Sequence, residues 1–293
     1  MDFQWMTFPE RPDLAVDVGP LHHQFPRFLV QGGPVTQQYW GDLYRYFPDF
    51  QFALSDAGGP VAACGHAIPL RWDGTVDDLP AGYDGALERG IADRQMERAP
   101  NTLCALAAIT SPQHKRGGWS AQIIATMQAI AKGHALSTLI APVRPTGKAN
   151  YPLLTMERCV QWVRSDGSPF DPWLRVHWRL GGACLGVAQR SMTISGSVQE
   201  WETWTGMRFP ASGPYVVPQA FNPVQIDVQT NCGLYISSLT CGFSMTYRRS
   251  SVSFPEDIFS QGYALMHQSL HIRGRMCRSA CPTSTDGDCA SRY

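Results

Sequence analysis

Residues 102–133 read TLCALAAITSPQHKRGGWSAQIIATMQAIAKG, and this stretch decides the fold. Thr102–Thr110 is an almost unbroken apolar run of strand length, as a central strand buried on both faces requires. Ser111–Gly118 is a polar loop. Trp119–Lys132 places Ile123, Met127 and Ile130 one turn apart, with Ile124 beside Met127, and so reads as an amphipathic helix that Gly133 ends as a C′ residue. Ser137–Val143 is a second apolar strand. The unit is strand–loop–helix–strand, a crossover that is right-handed when its strands are parallel.

The loop has a chemical character of its own. A helix N-terminus presents unpaired backbone N–H groups and the positive end of the dipole. Gly117 and Gly118 allow positive φ and close backbone approach, and Lys115 and Arg116 add charge. Together these suit a diphosphate. The spacing of a Walker A loop is missing, and no G-x-G-x-x-G occurs.

Outward from this unit, Thr36–Phe47 has helical spacing. Gln51–Leu54 and Val61–Ile68 read as a hairpin around the turn at 56–60, and Asp84–Glu97 reads as a helix closed by Pro100. Beyond it, Leu174–Leu180 and Ser191–Ile194 are expected as strands. Ser197–Gly206 is expected as a helix opened by a Ser197/Glu200 capping box. The fold class expected is α+β: a mixed, mostly antiparallel twisted sheet flanked by helices.

Composition sets the outer limits. The 293 residues are 44% hydrophobic and 16% charged with zero formal net charge, a soluble globular profile that draws neither nucleic acid nor an anionic membrane. No apolar run reaches the ~20 residues of a membrane span. The start, MDFQW, lacks signal-peptide character, so a cytoplasmic protein with nine reduced cysteines is expected. Five of those cysteines (232, 241, 277, 281 and 289) fall in the last 63 residues, where hydrophobic periodicity fades.

The loop resembles the acyl-CoA loop of the Gcn5-related N-acetyltransferase (GNAT) superfamily, Q/R-x-x-G-x-G/A. Gln113, Gly118 and Ser120 fall into register. Arg116 stands in the first glycine's place, with Gly117 displaced by one. Residues 146–162, 170–180 and 191–227 resemble stretches of bacterial GNAT-like proteins, and the resemblance covers about residues 25–236. It implies an acyl-CoA N-acyltransferase-like domain over 1–236 and a divergent, poorly ordered extension over 237–293. It also implies acyl transfer from acetyl-CoA or another acyl-CoA, by direct attack, to a small-molecule and usually amine acceptor. The pantetheine would pair with backbone at Ile109 and Ser111. The diphosphate would sit on His114, Lys115, Arg116, Gly117 and Gly118, with Trp119 and Ser120 on the first turn. The family's acid is a tyrosine after the fifth strand, which maps to Tyr151. For the base, Glu88 is chosen, with Asp84 and His66 as further options. No metal is assigned, and a homodimer is left open.

Three other readings compete. Gly118-Trp119-Ser120-Ala121-Gln122 matches the G-x-S-x-G elbow of serine hydrolases except at its last position. His267, His271, Cys277 and Cys281 have zinc-ligand character. A GNAT-like domain with an altered loop would also serve as a non-catalytic CoA- or partner-binding module.

Overall fold

A computed structural model describes residues 3–56, 59–114 and 117–246, with 240–246 described by backbone alone. Nine strands and eight α-helices are present among the described residues. The strands are β1 (Phe3–Thr7), β2 (Gln51–Asp56), β3 (Val61–Leu70), β4 (Thr102–Thr110), β5 (Thr138–Ile140), β6 (Ala183–Gly196), β7 (Gly213–Tyr215), β8 (Val224–Asp227) and β9 (Cys232–Thr246). The helices are α1 (Leu14–His22), α2 (Arg27–Gln31), α3 (Pro34–Tyr46), α4 (Tyr83–Gln95), α5 (Trp119–Gly133), α6 (Met156–Gln161), α7 (Pro172–Arg179) and α8 (Val198–Thr205).

The strands order as β1-β2-β3-β4-β5-β9-β8-β7, with β6 also on β9. Only the β4–β5 pair is parallel; the β1–β2, β2–β3, β3–β4, β5–β9, β6–β9, β7–β8 and β8–β9 pairs are antiparallel. The expected α+β class and mixed sheet are therefore what the chain forms. Strand β4 has the expected limits, because its apolar run is covered on both faces. One face packs on α5, where Ile123, Ile124, Met127 and Ile130 are buried. The other carries Ile109 into a smaller core with Phe8, Leu14, Val18, Leu21, Ala53 and Cys64, beneath α1.

Several expectations are corrected. Leu174–Leu180 is not a strand. The alternation of Leu174, Val176, Trp178 and Leu180 mimics a period of two, but Asp171 caps a helix by accepting from Trp173 N and Leu174 N (2.9 and 3.1 Å), and Pro172 occupies its first turn. Gly133 is the last helical residue rather than a left-handed cap; Ala135 takes the positive φ, 58°. Strand β5 is shorter than Ser137–Val143, because Pro142 has no N–H to offer a ladder. β1, α1 and α2 carried no periodic signal, and α1 contains Pro20. Strand β9 continues past the boundary expected at 236. Residues 247–293, with the zinc-type cluster at His267, His271, Cys277 and Cys281, lie outside the described residues.

Candidate active site

The site begins where β4 and β5 part. Their ladder covers only Thr102–Cys104 against Thr138–Ile140. Two local features end it. On β4 the register against β3 shifts between Ala105 and Ala107, so Leu106 is an extra residue, a bulge that bends the strand. On the β5 side the chain continues as Ala141-Pro142-Val143-Arg144-Pro145, which cannot sustain a ladder. The strands diverge around a cleft of about 350 Å³, walled by Ala105–Ala108 on one side and Ala141–Thr146 on the other.

The head of the cleft is the start of α5. Gly117 and Gly118 both have positive φ, 101° and 83°, so the pair of glycines is a conformational requirement. Among the described residues no side chain caps the helix, which leaves its first amides open. Ser120, Ile123 and Ile124 line the cleft. Trp119 is buried and anchors the turn, its indole edge-on to Phe3 and His114 (4.7 and 5.5 Å between centroids). Lys115 and Arg116 lie outside the described residues.

The far wall comes from segments distant in sequence. Lys148 is fully buried and donates to the carbonyls of Tyr151 (2.9 Å) and Phe221, which ties the loop after β5 to the segment before β8. Burial lowers its pKa. Asp171 accepts from Gly147 N (2.6 Å) and so fixes α7 to the same loop. Through α7 it places Trp173 and His177 in the cleft. Burial pushes the His177 imidazole down to about 4, which keeps it neutral near pH 7. Arg144 donates to Gln219 O (2.7 Å) and lies 3.6 Å from the Phe221 ring centroid; its buried Nη1 has no close hydrogen-bond partner among the described residues, with the Tyr235 hydroxyl interacting with the guanidinium.

No protein-family model matches the chain. The arginine N-acetyltransferase avaD of Aspergillus versicolor is 29% identical over 266 residues, covering 80% of this chain and 91% of that protein. The chain is thus similar to an N-acetyltransferase over most of both lengths. Solved structures similar to this chain include the loading GNATL domain of CurA from Lyngbya majuscula (14% identity, 84% of this chain and 98% of that one, TM-score 0.48). Another is the diaminobutyrate acetyltransferase EctA from Paenibacillus lautus (12% identity, 85% and 99%, TM-score 0.36).

Of the residues expected at the cofactor site, Ser120 lines the cleft, Gly117 and Gly118 lead into the same helix, and Trp119 and His114 pack on each other beside its first turn. The backbone positions on β4 need correction. Ser111 N donates to Ala62 O (2.7 Å), directly across the β3–β4 ladder, and Ser111 O accepts from His114 N (2.8 Å). Antiparallel pairs alternate in direction, so Ile109, paired with Cys64, also faces β3. The groups that face the cleft belong to Ala108 and Thr110. Thr110 O accepts from the Gln24 amide at 3.0 Å, as this direction requires.

The expected acid and base do not line the cleft. Tyr151 is 43% exposed and packs edge-on against Trp162 (5.1 Å), two residues past cleft-lining Ala149. Glu88 is exposed on α4. One turn earlier on the same helix, Asp84 accepts from Thr193 N (2.9 Å), and burial, with Glu88 nearby, raises its pKa to about 6. His66 is fully buried and held neutral by burial beside His22. Ser120 sits within the first helical turn and, among the described residues, has no histidine on its hydroxyl; the elbow geometry of a serine hydrolase is not formed. Arg144, Lys148, Asp171 and His177 were missed. The N-cap pair Asp171-Pro172 was the one sequence signal that pointed to any of them.

Proposed function

We propose that this chain is an N-acetyltransferase that moves the acetyl group of acetyl-CoA to the amine of a small molecule bearing a carboxylate, such as arginine. The observation that carries the reading is the cleft itself: an open backbone edge on β4 runs into an uncapped helix N-terminus with two left-handed glycines. That arrangement fits an extended amide-bearing arm followed by a diphosphate.

The acceptor nitrogen attacks the thioester carbonyl, the C–N bond forms, the C–S bond breaks, and the thiolate takes a proton while the amine loses one. Tyr151, the donor to sulfur that the resemblance implies, stands outside the cleft against Trp162, so its assignment rests on that resemblance alone. For the acceptor of the amine proton, Asp84 on α4, raised to about 6 by burial, is better matched to neutral pH than exposed Glu88, although it bonds Thr193 N and does not line the cleft. The Arg144 guanidinium on the cleft wall supports a carboxylate on the acceptor, because among the described residues it has, beyond Gln219 O, only the Tyr235 hydroxyl beside it, and a carboxylate would supply a charged acceptor. That the similar fungal protein is an arginine N-acetyltransferase supports the same class.

The test is CoA release with acetyl-CoA against arginine, lysine and agmatine, with product mass as confirmation. Arginine should be acetylated. Arg144→Ala should raise KM for arginine by roughly tenfold or more while leaving agmatine, which lacks the carboxylate, little changed. Absence of CoA release with every amine would overturn the assignment.

A further inference from the structure

Across β4 from the cleft lies a cluster of side chains that acyl transfer does not use. Cys64 and His66 are two residues apart on β3, so both leave the same face of the sheet, toward α1. His22, the last residue of α1, closes over them. The His22 and His66 Nε2 atoms stand 3.0 Å apart. The Cys64 sulfur and both imidazoles offer ligand atoms that all lie within 4.8 Å of one another, the one such group of three among the described residues.

The surroundings fix the His66 tautomer and allow the matching one at His22. Gln51 Nε2 donates to Phe47 O and Ala67 O, each at 2.9 Å, so its Oε1 is an acceptor. His66 Nδ1, 3.1 Å from that oxygen, must carry its proton there. His22 Nδ1, 3.0 Å from Val18 O, can do the same. With both protons so placed, each ring presents an Nε2 lone pair and the two can converge on one cation; with the His22 proton on Nε2 instead, the 3.0 Å contact is an ordinary N–H···N hydrogen bond. Imidazoles whose Nδ1–H is held by a carbonyl or amide oxygen, with Nε2 converging beside a thiol, form a metal-ligand set complete with its outer hydrogen bonds.

We infer that His22 Nε2, His66 Nε2 and Cys64 Sγ bind one zinc ion, with a fourth position open on the half-buried His22 side. Zinc takes this mixture of nitrogen and thiolate ligands, and three protein ligands plus water is a recurring set. Two Zn–N bonds of about 2.0 Å at the tetrahedral angle separate their nitrogens by roughly 3.3 Å, so the pair need open by only a few tenths of an ångström. The thiolate supplies charge inside a shell formed by the Trp40 and Tyr44 rings, 5.0 and 5.7 Å from His66. Zinc would clamp α1 to β3. The segment that follows α1 carries Gln24, which rests on Thr110 O at the cleft's edge.

The full chain, reduced and stripped with a chelator, should be titrated with zinc against a chromophoric competitor while its melting temperature is followed. One tight equivalent is expected, and zinc at about 100 times Kd should raise Tm by roughly 5–10 °C. His22→Ala and Cys64→Ala should each weaken binding at least 100-fold with the circular dichroism spectrum unchanged. His23→Ala, an exposed neighbour, should match the parent. Cobalt in place of zinc should give a thiolate charge-transfer band that Cys64→Ala abolishes. Because His267, His271, Cys277 and Cys281 are also ligand types, a Cys277→Ala/Cys281→Ala double variant is included and should keep the equivalent. The inference is overturned if the stripped chain takes up no zinc and shows no rise in Tm, if His22→Ala binds as the parent does, or if only the Cys277/Cys281 variant loses the metal.

Discussion

Replacing Gly118 with alanine isolates the backbone conformation on which the cleft's head depends. Gly118 has φ 83° and ψ 4° at the N-cap of α5. A methyl placed on it meets no atom within 4 Å, so the substitution introduces no clash. What remains is the left-handed conformation of an L-residue, which costs about 1–2 kcal/mol. That energy must appear in one of two measurements. If the loop keeps its shape, it is lost from stability, and Tm falls by roughly 2–8 °C for a chain of this size. If the loop relaxes before ligand binds, stability is spared. CoA must then restore the shape, and Kd rises by roughly 5- to 30-fold for the same energy. Calorimetric unfolding and CoA titration on one preparation therefore read the two shares. Gly118→Asn should recover much of the loss, because asparagine tolerates left-handed backbone. Gly133→Ala is the control: it also meets nothing within 4 Å, but its backbone is helical, so it should be neutral or stabilising by up to ~1 kcal/mol. Indistinguishable behaviour of Gly118→Ala and Gly133→Ala in both assays would refute the argument.

Three further outcomes follow from the packing and electrostatics. Asp84 is raised from the ordinary 3.8 to about 6, so its stabilising contribution is full below 3.8 and is lost as pH rises through 6. Asp84→Asn, which still accepts from Thr193 N, should gain Tm relative to the parent between pH 4 and 7 and lose acetyl transfer; a pH-independent difference in Tm would count against this. Trp201 is fully buried, donates to Gly233 O at 2.9 Å and packs on Phe28, so Trp201→Ala should cost roughly 3–5 kcal/mol in denaturant unfolding. Ser197→Ala removes one half of the capping box on α8 and should cost about 1 kcal/mol in the same assay.

What could be read from the residues divides along physical lines. Thr102–Thr110 and Trp119–Gly133 were legible because burial on two faces and on one face leaves different periodicities in the sequence. The capping box at Ser197 and Glu200 was legible because it is satisfied within four residues. Strand β1 and helix α1 were not, since pairing with β2 and cover for Cys64 and Ile109 are decided by tertiary contact. The cleft was half legible. Its glycines are local requirements and could be named. Its far wall depends on Asp171 reaching Gly147 and on Lys148 reaching Phe221, and neither sequence distance carries a pattern.

The choice between Ile109/Ser111 and Ala108/Thr110 shows the same limit at finer scale and can be tested. A motif match fixes a residue's place along a strand but not which edge its amide faces. Here that edge is decided by Ser111 N on Ala62 O and by the bulge at Leu106, which resets the alternation along β4. Proline reads the difference directly, because it removes one N–H. At Ala108 the lost N–H faces the cleft, where no strand pairs, and proline is tolerated on such an edge. Ala108→Pro should therefore fold, with Tm lowered by a few degrees, and bind CoA at least tenfold more weakly. At Ile109 the lost N–H belongs to the β3 ladder and the ring disturbs a buried central strand, so Ile109→Pro should not fold. Normal CoA affinity in Ala108→Pro, or a folded Ile109→Pro that has lost CoA binding, would reverse the assignment and return the cofactor-facing amide to Ile109.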